Sequence, residues 1–336
     1  MVGTPLSFLS RAALVFFLCV VPLFAALLAP FSLVPLLVLY LPPLAFAAGV
    51  YKYATAHRID TNMLVHVFLG GFFPGIVIAM IVELLLSAVG GALFLVVDDG
   101  DLVGQMREYH TLHPNATTTE IASHIHLRHS LSVFVGLVFM SFVVAGSVEE
   151  YVKYWVVKGK CCVLSGLCVP NLVASSHDDV DPFFTVLCFA AAGCGFATME
   201  NVSYTFVSPS LAMEVWTAVV RALLSTPLHV VCASVTAMRL VGGAAHPSSS
   251  PKLQTTASRL TLFAALAPAI ALHGTFDLQA FVFALWFPDM QVLSACASIL
   301  CLVVGLLYLN HVRGHINWDY RVLVLDDVDG DAALIV

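Results

Sequence analysis

The sequence predicts an all-α polytopic membrane protein with about eight transmembrane helices. Hydrophobic residues make up 60% of the 336-residue chain and charged residues only 10%, whereas about 25% of the residues of a soluble domain are charged. The mean hydropathy of +0.95 leaves too few polar residues to cover a surface in water. The apolar stretches are continuous and do not alternate, so they predict helices rather than the strands of a membrane barrel.

Eight apolar stretches reach the length of about 18 residues that a helix needs to cross the hydrocarbon core. They are 11–29, 31–50, 64–97, 131–157, 182–206, 214–241, 260–285 and 291–310. The third stretch is too long for one perpendicular span. Its segment 70–75 contains three glycines and a proline, which predicts a kink or an interfacial segment, with the span itself beginning near Ile76.

The positions of Lys and Arg predict that both termini are cytosolic, because basic residues accumulate in cytoplasmic loops. With this topology only Arg107 and Arg128 fall outside. The basic residues inside are Arg11, Lys52, Arg58, Lys158, Lys160, Arg239, Lys252, Arg259, Arg313 and Arg321. The glycosylation sequon at Asn115 lies in the external loop 98–130, in agreement. If the first stretch is instead a signal peptide cleaved near Ala29, the rest of the topology is unchanged.

Three regions are expected. Residues 1–130 hold the first three transmembrane helices and an external loop rich in histidine, residues 131–310 form a helical bundle, and residues 311–336 are a short acidic cytosolic tail. The net charge of −7 is spread thinly, and no concentrated basic face is present, so nucleic-acid binding is excluded. The lipid bilayer of the plasma membrane or an endomembrane is the expected environment.

Ionisable side chains inside a bilayer cost several kcal/mol, so each is a candidate functional residue. Almost all of them lie on predicted helices 4–7; the first half of the chain offers chiefly His66 and Glu83. The polar residues on helices 4–7 are Glu149, Glu150, Lys153, Glu200, Asn201, Arg221, His229, His273 and Asp277. Ser, Thr and small residues would suffice to pack a bundle. The set therefore predicts an active site formed by helices 4–7.

The spacing of these residues predicts local partnerships. Lys153 follows Glu149 by four residues and Glu150 by three, so it can lie beside both carboxylates. Its ammonium favours ionisation of one carboxylate and leaves the other protonated, which separates a base from an acid. His273 and Asp277 are also four residues apart, a spacing at which a carboxylate fixes the tautomer of an imidazole. We expect His229 to face that pair from a neighbouring helix.

Four strings on separate helices carry a resemblance to a known family. They are EEYVK at 149–153, FATMEN at 196–201, Arg221 with PLH at 227–229, and HGTFD at 273–277. In this order they resemble the signatures of PrsW-type intramembrane proteases, namely EExxK, FxxxEN, a helix with R and PLH, and HxxxD. The resemblance covers about residues 131–310. That family is distantly similar to the CAAX-processing and bacteriocin-processing membrane proteases.

The resemblance implies hydrolysis of peptide bonds in or next to the membrane, in transmembrane or membrane-anchored protein substrates. It implies that Glu149 and Glu150 are catalytic, one activating water and the other assisting proton transfer. His229 and His273 would polarise the scissile carbonyl and stabilise the oxyanion. Glu200 completes the catalytic set. The supporting residues are Lys153, Asn201, Arg221 and Asp277, and the residues expected to orient the histidines and the water are Glu200, Asn201 and Asp277.

The sequence leaves the use of a metal open. Two histidines and a carboxylate suffice for a catalytic zinc ion with an open position, and Glu200, His229 and His273 could provide them. The alternative is a water molecule activated by glutamate without a metal. The resemblance to the CAAX-processing enzymes favours this metal-free reaction.

Three other functions remain open on the sequence. Intramembrane Glu and His residues also occur in transporters and proton pathways. The chain could instead be a non-catalytic relative that binds membrane segments without cutting them. A zinc-dependent lipid amidase of the alkaline ceramidase type is ranked lower, because those proteins resemble one another through an HxxxH helix and this chain has Asp277 at the last position.

Two further expectations concern depth and the external loop. Glu149 and Glu150 lie about five residues to the cytosolic side of their helix centre and Glu200 about six to the opposite side, which leaves about 17 Å of depth for tilt, a broken helix or a shifted helix boundary to close. The loop 98–130 carries five histidines among acidic residues, namely His110, His113, His124, His126 and His129. Their spacing matches no closed zinc pattern, so we expect a solvated polar loop rather than a metal site.

Overall fold

The computed structural model describes residues 6–28, 30–57, 61–94, 101–116, 131–158, 182–208, 210–244, 254–287 and 289–314. Within these ranges every regular element is a helix, which confirms the predicted all-α class. Among the described residues, seven helical segments are long and apolar enough to cross a bilayer, so the chain is a polytopic membrane protein. They are Leu33–Lys52, Thr61–Gly91, Val133–Val157, Phe183–Phe206, Leu211–Gly242, Leu262–Trp286 and Gln291–Arg313.

The described part of the chain is built from a succession of α-helices. They are α1 (Phe8–Val15), α2 (Val21–Leu28), α3 (Leu33–His57), α4 (Thr61–Gly70), α5 (Ile76–Phe94), α6 (Asp101–Leu112), α7 (Leu131–Val138), α8 (Val148–Val157), α9 (Pro182–Phe206), α10 (Leu211–Val220), α11 (Thr226–Ala244), α12 (Gln254–Trp286) and α13 (Gln291–Arg313). Wider π-helical turns occupy Phe16–Val20, Gly71–Gly75, Phe139–Ser147 and Arg221–Ser225, and a 3₁₀ turn occupies Pro30–Ser32.

The described spans follow the predicted stretches closely at the first stretch and less closely at the third. The first predicted stretch, 11–29, is continuously helical from Phe8 to Leu28, through α1, a π-helical turn and α2. The third stretch is one segment, Thr61–Gly91, that begins well before Ile76. The chain stays helical through the expected kink, because the glycines and proline at 70–75 are accommodated in a π-helical turn.

Prolines explain most of the π-helical turns in the described chain. Pro74 lies inside one of them, and Pro22 and Pro227 are each the second residue of the α-helix that follows one. Proline has no N–H, so the carbonyl four residues earlier loses its helical partner and the turn widens around it. The turn before α8 contains no proline; there the Ser147 hydroxyl donates to the Phe142 carbonyl at 2.7 Å.

The described residues form two compact units, which are treated separately below. The first comprises the described residues within Met1–Ile78, Glu150–Ala269 and Leu302–Val336. The second comprises those within Ala79–Glu149 and Ile270–Cys301. The boundary on α8 falls between Glu149 and Glu150, so these consecutive residues belong to different units.

In the first unit, α9 and α11 form the interior. Of the residues in the apolar window of α9, 72% are buried. The helix packs directly on α4 and its π-helical turn, because a Cβ atom at Gly195 would collide with the Phe68 carbonyl, and one at Gly71 with the Ala192 carbonyl. On its other side, a Cβ atom at Gly193 would lie 2.8 Å from the His229 carbonyl of α11. Glycines thus let α9 approach both neighbours closely enough to hold its polar residues beside α11.

In the second unit, the π-helical turn Phe139–Ser147 crosses α12 at two glycines. A Cβ atom at Gly146 would lie 3.2 Å from the Ile270 carbonyl, and one at Gly274 would collide with the ring of Phe142. The absence of side chains at both positions allows the two backbones to touch. This crossing sets Glu149, three residues after Gly146, beside His273.

Candidate active site

In the first unit, a buried lysine joins two motifs. The Lys153 ammonium donates to Glu150 Oε1 at 2.7 Å and lies 2.7 Å from His229 Nδ1. It also lies 4.8 Å from the centre of the Phe196 ring, a cation–π contact. Lys153 and Glu150 are each only 1% exposed. A buried charge of each sign is therefore held in direct contact, as burial of ions requires.

His229 continues this chain of contacts to a second glutamate. An ammonium donates hydrogen bonds and accepts none, so Nδ1 of His229 is the acceptor and the ring carries its proton on Nε2. His229 Nε2 lies 2.9 Å from Glu200 Oε2. The other carboxylate oxygen of Glu200 accepts from Arg221 Nη2 at 2.6 Å. The first unit thus contains one continuous series, Glu150, Lys153, His229, Glu200 and Arg221.

Asn201 binds Arg221, the last residue of the same series. Its Oδ1 accepts from Arg221 Nε at 2.6 Å and from the Ser225 hydroxyl at 3.0 Å, and its amide donates to Thr226 Oγ1 at 2.8 Å. Asn201, Ser225 and Thr226 are buried. The Asn201 side chain therefore holds Arg221 and the start of α11. Its described hydrogen bonds go to these residues and not to a histidine.

The series connects two glutamates that were expected to lie at different depths in the membrane. Glu150 and Glu200 were expected at heights about 17 Å apart, and two side chains, Lys153 and His229, connect them through contacts of 2.7 to 2.9 Å. The π-helical turn Arg221–Ser225 lies directly before α11, which carries His229. Such turns are frequent at functional sites.

In the second unit, His273 lies between two carboxylates. His273 Nε2 is 3.6 Å from Glu149 Oε2 and 3.4 Å from Asp277 Oδ2, one helical turn further along α12. Glu149 and His273 are buried at 5% and 2% exposure, whereas the Asp277 side chain is 23% exposed. The partnership of His273 with Asp277 follows the predicted spacing of four residues.

Comparison with known proteins gives the family. Residues 110–309, more than half of the chain, match the model of the PrsW family intramembrane metalloprotease. The chain belongs to the PrsW family. It is also 33% identical to Protease PrsW of Clostridioides difficile (strain 630) over 150 residues, which are 44% of this chain and 55% of that protein. The chain thus covers about half the length of this curated relative. No solved structure matches the chain.

Each PrsW motif has a defined place in the fold. EEYVK begins α8 and starts two residues after the π-helical turn Phe139–Ser147. FATMEN lies in the buried second half of α9, Arg221 begins a π-helical turn with PLH in the helix that follows, and HGTFD lies in the middle of α12. Within the first unit the motifs on α8, α9 and α11 contact one another. Within the second, the first glutamate of EEYVK contacts HGTFD.

Two side chains of this PrsW site were not singled out from the sequence, namely Ser225 and Thr226, which bind Asn201. The ring of Phe196, the first residue of the FxxxEN motif, packs against Lys153. The proline after Thr226 is the signal that could have found both, because it predicts a break in the helix with hydroxyls beside it.

The histidine-rich loop is described only in part. Residues 101–112 form α6, on which His110 is exposed, and His113 and Asn115 follow in exposed positions. The remaining residues of the cluster, including His124, His126 and His129, lie outside the described ranges. In the part of the loop that the structure describes, no group of three metal-ligating side chains occurs.

Proposed function

We propose that the chain is an intramembrane endopeptidase that hydrolyses peptide bonds of membrane-anchored proteins. The observation that carries the proposal is the buried series from Glu150 through Lys153 and His229 to Glu200. The match to the PrsW family model supports the same activity. Since the chain covers 55% of its curated relative, the activity is proposed for this chain from its own residues as well.

The energetic cost of the series supports a catalytic role. A helical bundle in a membrane can be held by small residues and hydroxyls, which avoid most of the desolvation cost of charges. This chain instead buries a lysine and a glutamate in contact, next to an imidazole. Buried charges of this kind in membrane helices mark functional sites. Hydrolysis of a peptide bond requires the groups found here, namely a base, a proton donor and donors for the oxyanion.

We assign water activation to Glu149 with His273. A water oxygen bonds to the scissile carbonyl carbon while one water proton passes to the Glu149 carboxylate. The carbon–nitrogen bond then breaks, and that proton passes to the leaving amine. Asp277, 3.4 Å from His273 Nε2, orients the imidazole and strengthens it as a hydrogen-bonding group.

We assign charge stabilisation to His229. Lys153 at Nδ1 keeps the ring proton on Nε2. Glu200 Oε2 lies 2.9 Å from Nε2 and Arg221 holds Glu200, so the ring is oriented as a donor whose proton turns from the carboxylate to the oxyanion when substrate binds. A donor fixed before the reaction in a site that excludes water stabilises a developing oxyanion more than a mobile one does. Glu150, bonded to Lys153, keeps that ammonium in place rather than activating water.

The family model names a metalloprotease, so we tested whether the residues fit a metal ion. Two ligands of one tetrahedral zinc ion lie about 3.3 Å apart, and Glu149 Oε2 and His273 Nε2 are 3.6 Å apart, which fits joint coordination. Glu200 Oε2 and His229 Nε2, at 2.9 Å, lie closer together than two ligands of one zinc ion do. In the metal-assisted alternative, Glu149 and His273 would therefore supply two of the three protein ligands that a catalytic zinc ion takes, and zinc when bound would polarise the scissile carbonyl as a Lewis acid.

The substrate and orientation follow from the membrane setting. A helical backbone hides its carbonyls in its own hydrogen bonds, so a substrate must unwind at the cut site. Single-span or tail-anchored proteins are thus the proposed substrate class. The excess of Lys and Arg on one side supports the proposal that both termini are cytosolic.

The experiment that tests the proposal is cleavage of a pool of labelled transmembrane peptides by the detergent-purified chain, with cut sites identified by mass spectrometry. Wild type is compared with Glu149→Gln and His273→Ala, each with and without a zinc chelator. We expect both substitutions to abolish cuts that wild type makes. Loss of cleavage with the chelator, reversed by added zinc, would assign the metal-assisted reaction; full cleavage with the chelator would assign the metal-free one.

Matched controls separate chemistry from folding. Glu214→Gln changes a glutamate of α10 whose described partner is the Ser32 hydroxyl, and His311→Ala changes an exposed histidine at the end of α13. Both should cut like wild type. A folded wild type that cuts no peptide in a broad pool would contradict the proposal and favour a protein that binds membrane segments.

A further inference from the structure

We propose that the N-terminal helices bind one acyl chain of an anionic membrane phospholipid. A cavity of about 230 Å³ lies between α1, α3 and α4 in the first unit, and Ala191 of α9 closes it on one side. Apart from Ala191, its lining residues lie before residue 110, where the match to the family model begins. The proposed site is therefore separate from the candidate active site and from the peptidase proposal.

The lining of the cavity is suited to a hydrocarbon chain. Of the described residues around it, only Tyr51 and Thr61 have polar side chains. The rest are aliphatic or aromatic, among them Leu14, Leu44, Val65 and Phe68. A polar ligand placed here would lose its hydration without gaining hydrogen bonds, at a cost of several kcal/mol. Apolar surface in contact with apolar surface carries no such cost.

The length of the cavity suits part of an acyl chain. Along α4 the lining runs from Thr61 to Leu69, eight steps of 1.5 Å, or about 12 Å. An extended stretch of hydrocarbon chain about this long would contact the apolar lining of this slot along its whole length.

The polar groups lie at one end of the slot, as the headgroup of a lipid requires. Tyr51 near the end of α3 and Thr61 at the start of α4 line that end. Close by, the Ser7 N–H donates to Asn62 Oδ1 at 2.6 Å. Exposed Lys52, next to Tyr51, adds positive charge to the end of α3, and exposed Arg11 lies on α1, four residues after Ser7. Basic residues at a membrane surface attract anionic headgroups.

The other end of the slot is closed by aromatic rings. Phe17 and Phe68 meet edge to face with their centres 5.4 Å apart, and Phe17 also stacks on Tyr40 at 4.5 Å. Phe68 belongs to the segment on which α9 packs through Gly195. The chain end of the lipid would thus contact the aromatic cluster that supports α9.

The test uses the full chain in phosphatidylcholine vesicles with rising fractions of a phosphatidylglycerol that carries a photoreactive diazirine on one acyl chain. Labelled residues are identified by mass spectrometry. A specific slot predicts labelling of Leu14, Leu64 and Val65 that saturates at a low fraction of the probe, whereas lipid at the outer surface labels in proportion to its fraction. The same diazirine on phosphatidylcholine should label these residues at least fivefold less.

Two neighbouring alanines of α3 provide a matched pair of variants. Ala47 lines the cavity and Ala48 does not, and both side chains are exposed. Ala47→Trp should reduce the saturable labelling at least fivefold, and Ala48→Trp should leave it unchanged. Labelling of the wild type that never saturates, or that both lipids produce equally, would overturn the proposal even if Ala47→Trp fails to fold.

Discussion

Lys153 Nζ lies 2.7 Å from His229 Nδ1 in the interior of the first unit. One ammonium therefore determines which nitrogen of the histidine carries the proton, and it does so from a motif 76 residues away in the sequence. Its second partner, Glu150, supplies the negative charge that makes a buried ammonium tolerable.

Replacement of Lys153 by Met should lower both stability and activity. Glu150 would be left buried without its counter-ion, which costs about 3–5 kcal/mol, and His229 would lose the group that fixes its tautomer. The midpoint of denaturant-induced unfolding in detergent measures the first effect and the peptide cleavage rate the second. Lys158→Met is the matched control, because Lys158 contacts the Tyr154 hydroxyl and is only half-buried. Equal unfolding midpoints for the two variants would contradict this account.

Replacement of Thr226 by Val should weaken the anchoring of Asn201. The Asn201 amide would lose its acceptor at a buried position, at a cost of about 1–3 kcal/mol. Cleavage should slow because Asn201 holds Arg221, which in turn holds Glu200. Thr111→Val in α6 is the control, since its hydroxyl bonds to its own helix at an exposed position. If Thr226→Val unfolds at the wild-type midpoint, the network does not hold these helices together.

Replacement of Gly195 by Ala should destabilise the first unit. The new methyl group would collide with the Phe68 carbonyl, and separation of α4 from α9 should cost about 1–3 kcal/mol. Gly49→Ala in α3 should instead stabilise the protein. Nothing lies within 4 Å of the Cβ position, and alanine is more stable than glycine inside a helix by about 0.5–1 kcal/mol. Thermal unfolding of both variants measures the difference; equal shifts would refute the close contact.

The helical class and the location of the motifs were predictable from the sequence. Continuous apolar stretches leave few alternatives to helices in a membrane, and each charged residue stands out against its surroundings. The spacing of His273 and Asp277 also predicts their contact, since it depends on only one helix. These predictions rest on local periodicity, which the structure preserves.

Contacts between helices were less predictable. Lys153 was expected beside both glutamates of its own motif, and in the structure it bonds Glu150 and reaches across to His229. The reason lies in the π-helical turns, which are wider than an α-helical turn. Side chains after such a turn therefore point in directions that a regular period of 3.6 residues does not predict. Asn201, similarly, binds hydroxyls that become available only because the helix widens before Pro227.

The most direct test of the central claim is the rate at which Glu149→Gln cleaves a fluorogenic transmembrane peptide in detergent, relative to wild type and to Glu214→Gln. Loss of a general base lowers a rate by about 10²–10⁴-fold, so Glu149→Gln should fall by at least about 100-fold while Glu214→Gln cleaves like wild type. A folded Glu149→Gln that cleaves at the wild-type rate would contradict the account.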